Sequence, residues 1–423
     1  MTPSELREKF WKNDIENGAL IKNQYDEIKS VLSTNNLEWV KERYNEIKLH
    51  AIKNTEYYKD FHLEDDFPVM TKSSLMENYE ACKAKDGYDS PVHISSTSGS
   101  TGTPFSVIQN LRKRKRNIAD LKVFGELCDY PSHERMIFFR VLSDKLNRTK
   151  EQEDLENIYY IDSSDLGKEN LHLMYEKILS KKPLIIFSYP TTLLELARYI
   201  DTLKIDADVF SMKSVLMAGE GISETDRKFL ERVFGCKAYR RYSDMELGIL
   251  GQDSGDGGSY LLNYGSYYFE CLKLDSDEPA ENGEVGRIVI TDLFNYAFPM
   301  IRYDTGDLGV IEVPTDGKFP RLKEIYGRVR DCVYATDGRL ISPSKISVMM
   351  WGENNIAQWQ FIQEAENDYI IKLNVSGDID ENELIIKYMS VLGADANIKV
   401  EYVDEIPVLA SNKRRAIICN YKK

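Results

Sequence analysis

Between Met136 and Tyr242 the sequence alternates short apolar runs with stretches of helical periodicity, and that alternation leaves few folds open. The runs are Met136-Ile137-Phe138-Phe139, Ile158-Tyr159-Tyr160-Ile161, Leu184-Ile185-Ile186-Phe187, Ser214-Val215-Leu216-Met217 and Lys237-Ala238-Tyr239. Helical patterns lie between them at Leu171 to Leu179, Thr191 to Leu203 and Ser223 to Phe234. Such a pattern predicts βαβ units on a parallel sheet. Ligands of these sheets sit beyond the carboxyl ends of the strands, which directs attention to the loops around Glu220 and Asp244.

The rest of the chain has a different texture. Residues 1–80 are mostly helical in pattern, with apolar residues near a 3.6 period from Leu37 to Ile52 and a capped helix start at Met70-Thr71-Lys72-Ser73-Ser74-Leu75. Tyr260 to Val313 carries Tyr-rich runs broken by Gly and Asp, which predicts a small antiparallel, barrel-like sheet. From Asp331 a further unit is expected. It would comprise a hairpin turning at Asp337-Gly338, a helix from Ser344, strands near Trp359 to Ile362 and Tyr369 to Leu373, a helix through Glu383 to Val391 and a strand at Ile398 to Tyr402. At 423 residues the chain exceeds one common core. The change of texture places the boundary at Gly327 to Asp331, giving domains of 1–330 and 331–423.

Composition narrows the partners. A net charge of −14 opposes general binding to nucleic acid or to an anionic membrane. The six cysteines lie far apart without a Cys-x-x-Cys pair, so neither a disulfide framework nor a zinc signature is expected. The histidines are scattered and read as structural or surface residues. Apolar runs such as Pro183 to Phe187 are far too short to span a bilayer. The N-terminal segment lacks the apolar core of a signal peptide, so a cytoplasmic location is expected. No oligomeric state can be read from the sequence.

Ser95-Ser96-Thr97-Ser98-Gly99-Ser100-Thr101-Gly102-Thr103-Pro104 offers hydroxyls and close backbone approach but almost no apolar surface. His93-Ile94 before it and Phe105-Ser106-Val107-Ile108 after it read as short strands. It is then a hairpin connection whose N–H groups could cradle phosphate; a flexible Ser/Gly linker is the other reading. It is not a P-loop, because Gly102 is followed by Thr103-Pro104. Next, Arg112-Lys113-Arg114-Lys115-Arg116 enters a helix, and reads either as a solvated face or as a contact for the phosphates of an acceptor such as coenzyme A.

Further elements follow in order, each ordinary when taken alone. Met217-Ala218-Gly219-Glu220-Gly221 is a strand-to-helix turn, and Arg240-Arg241-Tyr242-Ser243-Asp244-Met245-Glu246 an acidic turn at a strand end. Arg302-Tyr303-Asp304-Thr305-Gly306-Asp307 could be a hairpin turn, and Ser411-Asn412-Lys413-Arg414-Arg415 a solvated basic tail. Together with Gly327-Arg328-Val329-Arg330-Asp331 and the Ser/Thr/Gly run, they resemble the motifs of the adenylate-forming acyl-coenzyme A synthetase superfamily. Thr103, Ser243 and Asn412 stand where that superfamily usually has Lys, Gly and Gly. Tyr57-Tyr58-Lys59-Asp60-Phe61 and Phe67-Pro68-Val69 resemble the lead-in of phenylacetate-coenzyme A ligases, so the resemblance is to their branch, which includes CapK-type proteins.

The resemblance implies an α/β chain of the adenylate-forming enzyme fold, with a large layered α/β N-terminal domain and a small mobile α+β C-terminal domain. It implies ATP with magnesium, a small carboxylic acid as substrate, and coenzyme A as possible co-substrate. Ser96, Thr97, Ser98, Gly99, Ser100, Thr101 and Gly102 would hold phosphate, and Gly219 and Glu220 would line the adenine and acyl pockets. Tyr242 would stack on adenine beside Ser243 and Asp244, while Glu246 would bind magnesium. Asp307 would accept the ribose hydroxyls, Arg328 would touch ribose or phosphate, and Asp331 would be the hinge. Lys413 would stabilise charge between the acid and the α-phosphate. An amine of a sugar in surface polysaccharide assembly is the alternative acceptor, and an inactive nucleotide-binding scaffold is the alternative function.

Overall fold

The computed structural model of the chain describes residues 1–96, 105–140, 148–255, 257–328, 333–341, 346, 349–350, 353, 355–407 and 415–421, with Ser96, Gly327, Arg328 and Leu340 described by their backbone alone. Parallel strands Met136–Arg140, Ile158–Asp162, Ile185–Ser188, Ser214–Ala218 and Lys237–Asp244 form as the alternation predicts. Helices Lys168–Lys181, Pro190–Thr202 and Glu224–Phe234 run between them. One face of this sheet buries Ile137, Phe139, Ile186, Val215 and Met217 against Leu171, Met174, Leu193, Leu196, Leu230 and Val233 of those helices. Local chemistry sets the helix ends. Ser223 caps the third helix by accepting from the Asp226 N–H at 3.0 Å, and Gly235 ends it in the left-handed region at φ 67°.

The Tyr-rich segment does not build a separate barrel-like sheet. Its strands extend the same sheet, which runs Tyr267–Leu272, Val285–Asp292, Tyr303–Glu312, Arg321–Arg328, Tyr260–Leu262, Gly248–Asp253, Lys237–Asp244, Ser214–Ala218, Ile185–Ser188, Met136–Arg140, Ile158–Asp162. The cause lies at residues 245–247. A connection this short can only return the chain antiparallel, so Gly248–Asp253 pairs with the free edge of Lys237–Asp244 and later strands add to it.

The chain divides into two compact units, residues 1–305 with 310–324, and residues 306–309 with 325–423. Within the second, Val333–Tyr334 and Leu340–Ile341 form a hairpin turning through Gly338 at φ 82°. A four-stranded sheet runs Asn397–Tyr402, Asp368–Val375, Ile356–Gln363, Ile417–Cys419. Helix Glu381–Leu392 covers it, Tyr388 stacking on Phe361 at 5.0 Å. The strand Ile417–Cys419 has no counterpart in the sequence reading. The expected helix start at Ser344 lies outside the described residues, as does the expected domain boundary, Gly327 to Asp331, beyond Arg328.

The basic run is not a uniformly solvated face. It opens helix Leu111–Glu126, where Arg114 is exposed while Lys113 and Arg116 are wholly buried. Lys113 pairs with buried Asp292 at 2.7 Å. Arg116 donates to Glu27, to the Gly265 carbonyl and to Ser266, with its guanidinium 3.9 Å from the Phe294 ring centroid. Burial of these charges is tolerated because each meets an acceptor, and Arg116 also faces Asp120, itself buried.

Candidate active site

Strands Lys237–Asp244 and Gly248–Asp253 are joined by Met245, Glu246 and Leu247, and the carbonyls of all three are held. The Ser95 hydroxyl donates to the Met245 carbonyl at 2.7 Å, Gln109 Nε2 to the Glu246 carbonyl at 3.1 Å, and the Tyr267 hydroxyl to the Leu247 carbonyl at 2.7 Å. Ser95 and Gln109 come from strands His93–Ser96 and Ser106–Gln109, which pair antiparallel with Ser96 opposite Ser106. These are the strands expected on either side of the Ser/Thr/Gly loop. The roots of that loop and the acidic turn are therefore one fixture.

Glu246 is 4% exposed. Its Oε1 accepts from the Tyr303 hydroxyl at 2.7 Å, while its Oε2 is buried with no hydrogen-bond partner among the described residues. A buried oxygen without a donor is costly, and most such atoms in proteins have a partner. Carboxylate oxygen is the ligand type that hard divalent cations prefer. Among the described residues no three His, Cys, Asp or Glu side chains converge into a metal cluster. A cation at Glu246 would complete its shell with oxygens of a bound phosphate, the usual manner for small hard cations.

Tyr242 is buried, its hydroxyl 3.5 Å from Thr305 Oγ1, and Thr305 in turn donates to the Ile288 carbonyl at 2.9 Å. Ser243 is exposed and Asp244 half-buried, with Asp244 Oδ1 accepting from the Met245 N–H at 2.9 Å. Gly219 turns the chain out of strand Ser214–Ala218 at φ 82°, a conformation that favours glycine. Glu220 Oε2 accepts from the Thr191 N–H at 2.9 Å and the Thr191 hydroxyl at 2.7 Å, placing a carboxylate at the start of helix Pro190–Thr202 where the helix dipole favours it. Tyr189 beside it is raised in pKa by burial, with Arg140 opposing and Glu220 reinforcing the shift.

Residues 333–420 match the CapK C-terminal domain family. Over 95% of its length the chain is 24% identical to protein CapK of Staphylococcus aureus, of which 93% is covered. Over 86% of its length it is 23% identical to phenylacetate-coenzyme A ligase of Escherichia coli (strain K12), of which 85% is covered. The solved structure of 2-hydroxyisobutyryl-CoA ligase, in the postadenylation state in complex with R3-HIB-AMP, matches with a TM-score of 0.73 at 17% identity, covering 90% of this chain and 88% of that one. Along most of its length the chain is thus similar to the CapK and phenylacetate-coenzyme A ligase proteins, a CapK/phenylacetate-coenzyme A ligase-like branch of the AMP-forming, adenylate-forming ligases. Its fold is the mixed α/β fold of those enzymes.

Among the residues expected to serve an adenylate-forming ligase, the structure brings Glu246 against Tyr303 of the Tyr-x-Thr-Gly-Asp element and against the hairpin of the Ser/Thr/Gly loop. Asp307 follows Gly306 in the same strand as Tyr303; Gly306 is left-handed at φ 76°, and Asp307 is half-buried. Thr97, Ser98, Gly99, Ser100, Thr101, Gly102, Asp331 and Lys413 lie outside the described residues, and Ser96 and Arg328 are placed by backbone alone at strand ends. Tyr303, Gln109 and Tyr267 were not singled out from sequence. Only Tyr303 carried a signal, its place in the motif; Gln109 and Tyr267 join the candidate site through their hydrogen bonds to the Glu246 and Leu247 carbonyls.

Proposed function

We propose that this ligase activates a small carboxylic acid with magnesium ATP and then passes the acyl group to coenzyme A. The observation that carries the reading is Glu246, a buried carboxylate with one oxygen fixed by Tyr303 and the other without a donor among the described residues, held on the hairpin of a phosphate-type loop. Magnesium there would neutralise phosphate charge, with Glu246 Oε2 as its protein ligand. The substrate carboxylate attacks the α-phosphorus, the bond from that phosphorus to the bridging oxygen breaks, and pyrophosphate leaves, giving an acyl-adenylate. Thiol sulfur then attacks the acyl carbon, AMP departs with the electron pair, and the thiol proton goes to solvent. Positioning and charge stabilisation supply the rate.

In this reading the backbone of Ser96 to Gly102 cradles phosphate, Gly219, Glu220, Tyr242, Ser243 and Asp244 surround the base, and Asp307 and Arg328 hold the ribose. Lys413, on the domain of residues 331–423 that pivots at Asp331, stabilises the developing charge during adenylation. Among the described residues no helix is long and apolar enough to cross a membrane. Pyrophosphate release with ATP, magnesium and a panel of carboxylic acids tests the proposal, followed by AMP release on adding coenzyme A or an amino sugar. Acid-dependent pyrophosphate with coenzyme A-dependent AMP is the expected result. Release of AMP only with the amine would replace the acceptor; ATP binding with no pyrophosphate for any acid would leave a nucleotide-binding scaffold.

A further inference from the structure

Helix Leu111–Glu126 carries a polar stripe that the proposed chemistry does not use. Lys113, Arg116, Asn117 and Asp120 recur at spacings that put them on one side of the helix. Lys113 and Asp292 have no exposed side-chain surface, and Asp292 Oδ1 also accepts from the Phe294 and Asn295 N–H groups at 2.9 and 3.2 Å. The Lys113 ammonium also donates to the Tyr267 hydroxyl at 3.0 Å. An ammonium can only donate, so the Tyr267 oxygen must accept from it and direct its own single proton elsewhere. That proton goes to the Leu247 carbonyl at 2.7 Å, one residue beyond Glu246.

A second arm starts one helical turn on. Asn117 Nδ2 donates to Gln109 Oε1 at 3.4 Å, and Gln109 Nε2 donates to the Glu246 carbonyl. Both arms close on the same turn. Gly248, at φ 126°, is closely packed there: a Cβ would lie 3.0 Å from both the Tyr267 hydroxyl and Asn117 Oδ1. A buried ion pair contributes little net stability compared with apolar residues of the same volume, but it fixes donor direction.

We propose that Lys113 and Tyr267 are positioning residues for Glu246: the buried Lys113–Asp292 pair orients the Tyr267 hydroxyl onto the Leu247 carbonyl, and so fixes the turn that aims the Glu246 carboxylate at a divalent cation on bound nucleotide. This rests on the role of Glu246 proposed above.

The test uses the full chain with ATP and Mn2+ as probe, following free Mn2+ by its paramagnetic resonance signal, which needs no turnover. Tyr267→Phe keeps the ring and removes the hydroxyl. It should weaken nucleotide-dependent Mn2+ binding about tenfold, the lower end of what removing an outer-shell partner of a metal ligand costs, with Tm little changed. Tyr58→Phe is the control, because the Tyr58 hydroxyl is buried without a hydrogen-bond partner among the described residues; it should leave Mn2+ binding unchanged. Glu246→Gln separates the two claims. If Glu246→Gln binds Mn2+ with ATP as tightly as the parent, the role of Glu246 fails and this inference with it. If Glu246→Gln weakens binding and Tyr267→Phe does not, the positioning claim alone is overturned. Should Tyr267→Phe not fold, the Lys113→Met/Asp292→Asn double variant removes the ammonium that orients the Tyr267 hydroxyl and carries the same two outcomes.

Discussion

Tyr303 donates its hydroxyl to Glu246 at 2.7 Å across 57 residues of sequence. The bond joins two motifs that are separate in the chain, the Tyr-x-Thr-Gly-Asp strand and the acidic turn. It also distinguishes the two carboxylate oxygens, Oε1 held by Tyr303 and Oε2 the one proposed to meet a cation.

Tyr303→Phe removes that donor with little change in volume. A hydrogen bond to a charged group is worth roughly 1.5–3 kcal/mol, so kcat/KM for acid-dependent pyrophosphate release should fall by about tenfold to a hundredfold while the fold persists. Rates equal to the parent at every magnesium concentration would show that Glu246 is oriented without Tyr303.

The Lys113–Asp292 pair makes a prediction about stability. Lys113→Met leaves an uncompensated buried carboxylate, which should cost about 3–5 kcal/mol in urea unfolding. Adding Asp292→Asn removes the stranded charge and keeps an acceptor for the Phe294 and Asn295 N–H groups, so the double variant should be more stable than Lys113→Met alone. Additive losses would mean that the two side chains are not coupled in the fold.

His133 should make stability depend on pH. Burial, with Lys122 and Arg7 nearby, lowers its pKa to about 4, against an ordinary value of 6.5, despite an opposing hydrogen bond to Ser132. Between those values the unfolded chain binds the proton and the folded chain does not, so this group contributes a loss of stability as pH falls from about 6.5 to about 4. His133→Asn removes the titration and tolerates the left-handed backbone at φ 66°. Urea midpoints at pH 7 and pH 5 should differ less in this variant than in the parent; an equal difference would exclude His133 as the cause.

Local pattern made much of the fold legible. Apolar runs gave the parallel strands, Thr71 gave the start of helix Lys72–Glu77 through its capping box, and the residues around Ser95 to Pro104 gave a hairpin. Pairing over long sequence distance was not legible. Nothing near Tyr260 says that its strand will join an existing sheet edge rather than close a new sheet. The basic run misled for a related reason: dense charge ordinarily needs water, yet Lys113 is satisfied by Asp292 and Tyr267, both remote in sequence. In the site, the motifs pointed to Glu246, but its partners Tyr303 and Gln109, and Ser95 on the neighbouring Met245 carbonyl, emerge only when the chain is folded.

The most direct measurement of the central claim is ATP–pyrophosphate exchange, with and without each carboxylic acid, in the parent protein and in Glu246→Gln. Exchange should depend on the acid in the parent, and fall by about a hundredfold or more in Glu246→Gln with the fold intact, the scale for losing one well-placed charge-stabilising group. Exchange that needs no acid, or that survives Glu246→Gln undiminished, would contradict the central claim.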